Sequence, residues 1–340
     1  MTPLRLHAPA KVNLFLAITG RLSDGFHNLV SLAVPLDFGD DLELRITEAE
    51  AGTTRLVLEG EVNAAEVPSG ADNLVLRAAA AFRETSGFSR PVEFVLKKQV
   101  PVGAGLGGGS SDAVAALRGL NTLAAEEGRS LGEENLCALA AKLGADCAFF
   151  LHGRPAMMRG RGERIEPLNE PATKRLNGRM LFVCKPAFGV STAWAYGEMA
   201  TSAAGLAATS AAASSAALGD NRYYISEHEA EQLCRQWLAE DGSPETSPEL
   251  LTFNNMETVV FAKYPALPVL AAVFRERFGL TLRMSGSGSA CFAFLPEGTV
   301  GDCSNAVLVE RLGECVREFW GPSAFARTAR IAYVLPPKNG

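Results

Sequence analysis

Apolar and polar positions alternate from the start of the chain. Over residues 4–18, Val12, Leu14, Leu16 and Ile18 share one face, and Lys11, Asn13, Phe15 and Ala17 share the other. That period of two predicts a β-strand. A lone lysine on such a strand fits either a solvated edge or the lining of a cleft. Further strands are predicted at 29–36, 42–47 and 55–59. Ser23-Asp24-Gly25 supplies the turn before Phe26-His27, and Asp37-Phe38-Gly39-Asp40 the turn between the second and third strands.

The period then changes. A helix is predicted from about Asp72 to Thr85, and a strand from Val92 to Lys98. A helix follows residue 111, where Ala113, Val114, Ala116, Leu117 and Leu120 recur at helical spacing. Glu133–Leu143 forms another helix, stopped by Gly144. Met157–Arg159 and Arg164–Leu168 read as a hairpin turning at Gly160 and Gly162. Polar composition at 170–178 divides the chain into units 1–172 and 173–340.

The second unit opens with a strand at Met180–Cys184 and a short helix at Thr192–Met199. Residues 200–218 are dominated by Ala, Ser, Thr and Gly and carry no charge. They are too weakly apolar for a membrane span and are expected to be a mobile insertion. Ser226 and Glu229 form a capping box for a helix reaching about Ala239. Helices at 255–263 and 268–278, a strand at 280–284, a strand at 291–294, a helix near 303–319 and a strand near 327–334 complete the chain. Strands followed by helices predict an α+β fold.

Composition narrows the function classes. The 340 residues are 47% hydrophobic and 21% charged, with net charge −6 and no basic run. Nothing here invites nucleic acid or an anionic membrane, so a phosphate-rich substrate has to be drawn by local donors. Seven scattered cysteines without a C-x-x-C pair suggest reduced thiols in a cytoplasmic protein. Arg5, His7 and Lys11 interrupt any secretory apolar run.

The densest chemistry lies at Pro101-Val102-Gly103-Ala104-Gly105-Leu106-Gly107-Gly108-Gly109-Ser110-Ser111. Glycines let backbone approach a ligand, and Ser110 and Ser111 are good N-cap residues for the helix that follows. A helix N-terminus preceded by such a loop suits an anion, a nucleotide phosphate above all; the other reading is a turn before a buried helix. The Walker A pattern fails because Gly109, not Lys, precedes Ser110. Gly103, Gly105 and Gly108 meet the dinucleotide spacing, but Pro101 breaks the strand-to-loop join that an oxidoreductase of that type needs. A second glycine loop, Ser285-Gly286-Ser287-Gly288, lies far along the chain. Asp146 enters the apolar run Cys147–Phe150 and is either an N-cap or a catalytic carboxylate.

Pro9-Ala10-Lys11-Val12-Asn13-Leu14-Phe15-Leu16, the loop at 101–111 and Ser285–Gly288 stand in the order and spacing of the three motifs of the GHMP kinases, and the chain resembles that family. Asp24-Gly25-Phe26-His27, Asp72-Asn73-Leu74 and Leu143-Gly144-Ala145-Asp146 narrow the resemblance to its branch acting on a cytidine-diphosphate-linked methylerythritol. The resemblance implies a two-domain fold, with a ribosomal S5 domain 2-like N-terminal half and a ferredoxin-like C-terminal half. It implies ATP as phosphate donor, Mg²⁺ held by Ser110 or Ser111, and Lys11 and Asp146 as the catalytic pair. Nucleotide contacts would come from Asn73, Pro101, Gly103, Ala104, Gly105, Leu106, Gly107, Gly108, Gly109, Ser110 and Ser111. Acceptor contacts would come from Asn13, Phe26, His27, Thr192, Tyr196, Gly286, Ser287 and Gly288, with cytosine between Phe26 and Tyr196. The alternative for those two rings is a place in the core. Partners would be small molecules only, with the protein a monomer or homodimer. Two departures stand out. Phe26 replaces the family's usual Tyr, and Asn254-Asn255-Met256-Glu257 replaces its usual N-D-x-E. A homoserine- or mevalonate-directed kinase and a catalytically dead sensor of the same fold are the competing readings.

Overall fold

The computed structural model describes residues 2–60, 67–68, 70–210, 223–238, 252–296 and 303–333. In chain order the first half contains β1 (Leu4–Arg21), β2 (His27–Ile46), β3 (Thr54–Gly60), α1 (Leu74–Ser86), β4 (Val92–Lys98), α2 (Gly108–Ala125), α3 (Glu133–Leu143), α4 (Ala145–His152), β5 (Ala156–Gly160), β6 (Arg164–Pro167) and α5 (Glu170–Leu176). The second half contains β7 (Met180–Lys185), α6 (Thr192–Ser210), α7 (Glu227–Leu238), β8 (Phe253–Asn254), α8 (Glu257–Lys263), α9 (Ala266–Phe278), β9 (Arg283–Met284), β10 (Cys291–Phe294), α10 (Cys303–Trp320) and β11 (Phe325–Arg330).

Seven strands form the first sheet, ordered β3-β4-β2-β1-β8, with β5 paired to β2 and β6 to β5. The β3–β4 and β1–β8 pairs are parallel, and the others are antiparallel. Phe82 of α1, Leu117 and Leu120 of α2 and Phe149 of α4 are buried in one core with Leu44 of β2 and Phe94 of β4. Burying side chains of this size stabilises by about 1.5–3 kcal/mol each. Central placement between β2 and β8 removes the solvated-edge reading of Lys11, whose residue is 3% exposed.

The second sheet runs β11-β7-β10-β9, antiparallel throughout. Counted along the chain, its strands lie in the order fourth, first, third, second. With α9 before β9 and α10 between β10 and β11, this is the ferredoxin-like arrangement. Among the described residues no single helix is long and apolar enough to cross a membrane; α8 and α9 satisfy that test only as a pair bent by 107°.

Several expected features differ. The turn at 37–40 is absent, and β2 runs through it. A Cβ on Gly39 would stand 2.0 Å from the Ala8 carbonyl oxygen, so the glycine lets β1 approach closely instead of turning the chain. Asp40 turns its carboxylate to the backbone N–H groups of Gln99 and Val100, at 2.5 and 2.8 Å. The strand expected at 280–284 shrinks to two residues because the Leu280 N–H caps α9 on the Phe274 carbonyl. Helix α6 continues through residues 200–210, expected to be a mobile insertion, since alanine is the strongest helix former. Residues 211–218 of that insertion lie outside the described residues. The expected division at 172/173 lies within α5, which joins β6 of the first sheet to β7 of the second.

Candidate active site

The glycine loop joins β4 to α2. Gly107, at φ 73°, is the N-cap of α2, which therefore begins at Gly108; Ser110 and Ser111 sit inside the first turn and are not its caps. A Cβ on Gly107 would meet the Phe150 ring at 2.8 Å, and one on Gly105 the Ser285 carbonyl oxygen at 2.2 Å. Two backbone bonds secure the loop: Lys11 N–H to Leu106 O at 2.9 Å and Ala290 N–H to Ala104 O at 3.0 Å. A cavity of about 430 Å³ opens over it, lined by Asn73, Pro101, Gly103, Ala104, Gly105, Leu106, Gly107, Gly108, Gly109 and Ser110. Ser111 is not part of that lining; its hydroxyl is buried without a hydrogen-bond partner. Asn73 caps α1, accepting from Val75 N–H at 2.8 Å, and donates to the Pro68 carbonyl at 2.6 Å.

Behind the loop lies a buried charge cluster that motif reading missed. Lys98 donates to Asp40 and, at 2.9 Å, to Asp112. This ties the end of β4 to β2 and to the fifth residue of α2. Burial pushes the Asp112 carboxyl up to about 8; Lys98 opposes that shift and Asp40 adds to it. The Asp112 Oδ1 atom has no partner.

Asp146 is the second residue of α4, whose N-cap is Gly144, so the capping reading fails. Its Oδ2 stands 3.4 Å from Lys11 Nζ. Lys11 Nζ also donates to Asn13 Oδ1 at 2.5 Å, and Asn13 donates to Ser31 Oγ at 2.8 Å. Buried groups satisfied in series hold the ammonium in one place. The second glycine loop closes on the same spot. Ser285 Oγ accepts from Asn13 N–H at 3.1 Å and donates to the Gly105 carbonyl at 3.0 Å. Ser287 and Thr192 hydroxyls lie 2.9 Å apart.

A larger cavity, about 740 Å³, opens on the other side of Asp146. Asn13, Phe26, His27, Thr192, Tyr196, Gly286 and Ser287 line it, together with Lys11. Gly288 does not; its N–H closes a turn on the Ser285 carbonyl at 3.0 Å. Phe26 is 58% exposed, which excludes a core role for that ring. The Arg161 guanidinium covers it at 4.5 Å from the ring centroid and pairs with Asp24. The His27 ring is buried, with its centroid 5.1 Å from that of Tyr196, and its Nε2 lies 3.1 Å from the Tyr224 hydroxyl. Burial, and then Arg21, hold the imidazole below its ordinary pKa. Burial first and Asp146 second push the Tyr196 phenol upward.

Gly105, Ser110, Asp146 and Thr192 line both cavities, which therefore meet at Asp146. Arg21 and Arg161, which sequence reasoning did not single out, join Lys11 on the larger one; Asp146 is the acid of that lining, and Asp24 pairs with Arg161 at its edge. Their only signal in the sequence is position: Arg21 just ahead of the Ser23-Asp24-Gly25 turn, and Arg161 between Gly160 and Gly162. A cleft of this kind attracts an anionic ligand despite the net negative chain. Among the described residues there is no cluster of three or more His, Cys, Asp or Glu side chains that could hold a metal by themselves.

Known proteins bear on what this cleft is. Residues 73–154 match the family model for the GHMP kinases N terminal domain, and residues 230–312 the model for GHMP kinases C terminal. The 4-diphosphocytidyl-2-C-methyl-D-erythritol kinase of Synechococcus sp. (strain CC9311) is 34% identical over 336 residues, covering 96% of this chain and 98% of the relative. The chain belongs to the 4-diphosphocytidyl-2-C-methyl-D-erythritol kinase family. A crystal structure of 4-(cytidine 5'-diphospho)-2C-methyl-D-erythritol kinase superposes on this kinase with a TM-score of 0.65 and 32% identity, covering 96% of this chain and 99% of that one. Homoserine kinase from Cytophaga hutchinsonii reaches the same TM-score at 17% identity, covering 97% of this chain and 95% of its own. That second match shows the shared fold alone. Discrimination among GHMP kinases therefore comes from residues, not from the backbone, and membership removes the oxidoreductase reading.

Proposed function

We propose that this kinase transfers the γ-phosphoryl group of ATP to the 2-hydroxyl of 4-diphosphocytidyl-2-C-methyl-D-erythritol, in the non-mevalonate route to isoprenoid precursors. The observation that carries the reading is the meeting of two cavities at Asp146, one floored by the glycine loop and one lined by His27, Phe26, Tyr196 and three cations. ATP occupies the first and the acceptor the second. Asp146 takes the proton as the acceptor oxygen forms its bond to phosphorus and the bond to the β-phosphate oxygen breaks, releasing ADP. Lys11, fixed by Asn13, sets positive charge beside both the carboxylate and the transferring group. Phosphoryl transfer asks little covalent chemistry of a protein, so positioning and charge carry most of the catalysis.

Mg²⁺ fits the residues present in a limited way. Ser110 offers a hydroxyl that lines both cavities, close to Asp146, whereas Ser111 is enclosed. With so few protein ligands the ion would arrive on the triphosphate, keeping most of its water, and would offset phosphate charge there. We place the two functional units on either side of α5. We also infer a cytoplasmic enzyme with small-molecule partners, monomeric or homodimeric.

The test is a phosphotransfer assay with ATP, Mg²⁺ and four acceptors: the cytidine-diphosphate substrate, its uridine analogue, homoserine and mevalonate. Turnover should be high for the first and much lower for the second. Preference for homoserine or mevalonate would overturn the assignment.

A further inference from the structure

His27 is held from behind. Of its two ring nitrogens, Nε2 is engaged by the Tyr224 hydroxyl, which leaves Nδ1 as the nitrogen available to a ligand in the larger cavity. Tyr224 stands outside the lining of that cavity, which His27 itself lines. Its ring lies 6.0 Å from the imidazole, on which Tyr196 also packs.

The backbone around Tyr224 is pinned by Asn255. Asn255 Nδ2 donates to the carbonyls of Ile18, at 2.9 Å, and Tyr223, at 2.8 Å. Its Oδ1 accepts from Ile18 N–H at 2.9 Å. An aspartate could accept the last bond but could not donate the first two, which gives the asparagine at this position a purpose. Ile225 is buried and donates to the same Ile18 carbonyl at 3.4 Å. Since β1 carries Ile18 and pairs Arg21 with His27, one strand registers both the imidazole and the tyrosine that meets it.

We propose that Tyr224 is a positioning residue that fixes the tautomer of His27 and thereby lets the enzyme tell cytosine from uracil. The inference rests on the reading that His27 meets the edge of the acceptor base. A phenol is a stronger hydrogen-bond donor than a neutral imidazole N–H, so the tyrosine donates and Nε2 accepts. Nδ1 then carries the proton and faces the base as a donor. Cytosine offers an acceptor at N3, whereas uracil places a proton there. A donor met by a donor leaves both buried groups unpaired, the situation that gives hydrogen-bonding sites their selectivity. The lowered pKa of His27 supports the neutral ring that this arrangement needs.

Tyr224→Phe removes the hydroxyl and keeps the ring. The ratio of kcat/KM for the cytidine acceptor to that for its uridine analogue should fall about three- to tenfold, the worth of one neutral hydrogen bond. The loss should appear in acceptor KM, with kcat and the KM for ATP changing less than twofold. In protein labelled with ¹⁵N-histidine, the His27 ring shifts should move from a single tautomer toward the average of two. An unchanged ratio, or unchanged ring shifts, would overturn the proposal. His27→Gln separates the two layers of the argument. If it lowers the ratio while Tyr224→Phe does not, only the role of Tyr224 falls; if neither variant lowers it, the base-edge reading falls as well.

Discussion

Gly105→Ala tests the idea that two glycine loops from opposite ends of the chain build one site. Gly105 has φ 75°, and an added Cβ would stand 2.2 Å from the Ser285 carbonyl oxygen and 3.2 Å from the Gly288 nitrogen. Carbon rarely comes within about 3 Å of such an oxygen, so the loops have to separate by about 1 Å. Alanine in a left-handed conformation adds about 1–2 kcal/mol of strain. The same separation strains the Ser285 Oγ bonds to Asn13 N–H and the Gly105 carbonyl, and so reaches the residue that holds Lys11. A displacement of that size between reacting groups typically costs about 10² in rate. Steady-state phosphotransfer should show kcat reduced by about two orders of magnitude, and a thermal melt should still show one cooperative transition a few degrees lower. Gly132→Ala is the control, since nothing lies within 4 Å of a Cβ there. A folded Gly105→Ala enzyme with kcat within threefold of wild type would refute the reasoning.

Asp146→Asn should lower kcat by about 10²–10⁴ while ATP affinity, measured by calorimetry, stays within a few-fold; wild-type-like turnover would remove Asp146 from the chemistry. Phe26→Ala and Tyr196→Ala should each raise acceptor KM by the equivalent of about 1–3 kcal/mol of stacking and leave the KM for ATP alone. Unchanged acceptor affinity in both would place the base elsewhere. Asp112→Asn addresses stability. The buried Asp112 keeps its proton up to about 8, whereas the unfolded chain loses it near 3.8, so wild-type stability falls as pH rises between those values. Urea unfolding at pH 5 and pH 8 should therefore show a smaller pH-dependent loss in the variant, and parallel losses would contradict the assignment.

What could be read before the structure was local. The alternation in β1, the stop at Gly144 and the Ser226 cap, which accepts from Glu229 N–H at 3.1 Å, are all decided within a few residues. Lys11, Asp146 and the two glycine loops, which the fold brings together, stand out as candidates because their spacing resembles a known family. What escaped is made by distant pairings. Lys98 meets Asp40 across 58 positions, and Arg161 meets Asp24 across 137. Tyr224 meets His27 across 197, with no neighbouring motif to mark it. The Gly39 turn signal was sound as local chemistry and lost to the close approach of β1. Helix α6 outruns the expectation because the helix propensity of alanine outweighs low complexity there.

Strand β8 has a consequence for how the molecule is made. It completes the flank of β1 opposite β2, and Asn255, just beyond it, bonds to Ile18 across 237 positions of chain. At translation rates of about 5–20 residues per second, the stretch between them takes roughly 10–50 s to emerge from the ribosome. Throughout that interval the backbone of β1 near Phe15 and Leu16 lacks its partner, and an unpaired apolar strand invites wrong pairing. Lys11 and Asn13 lie on that same strand, and Ser285, which meets Asn13, is made later still. The newborn N-terminal half therefore carries an open seam through the candidate site. Cutting the chain at α5 would leave that seam open until the other fragment is supplied.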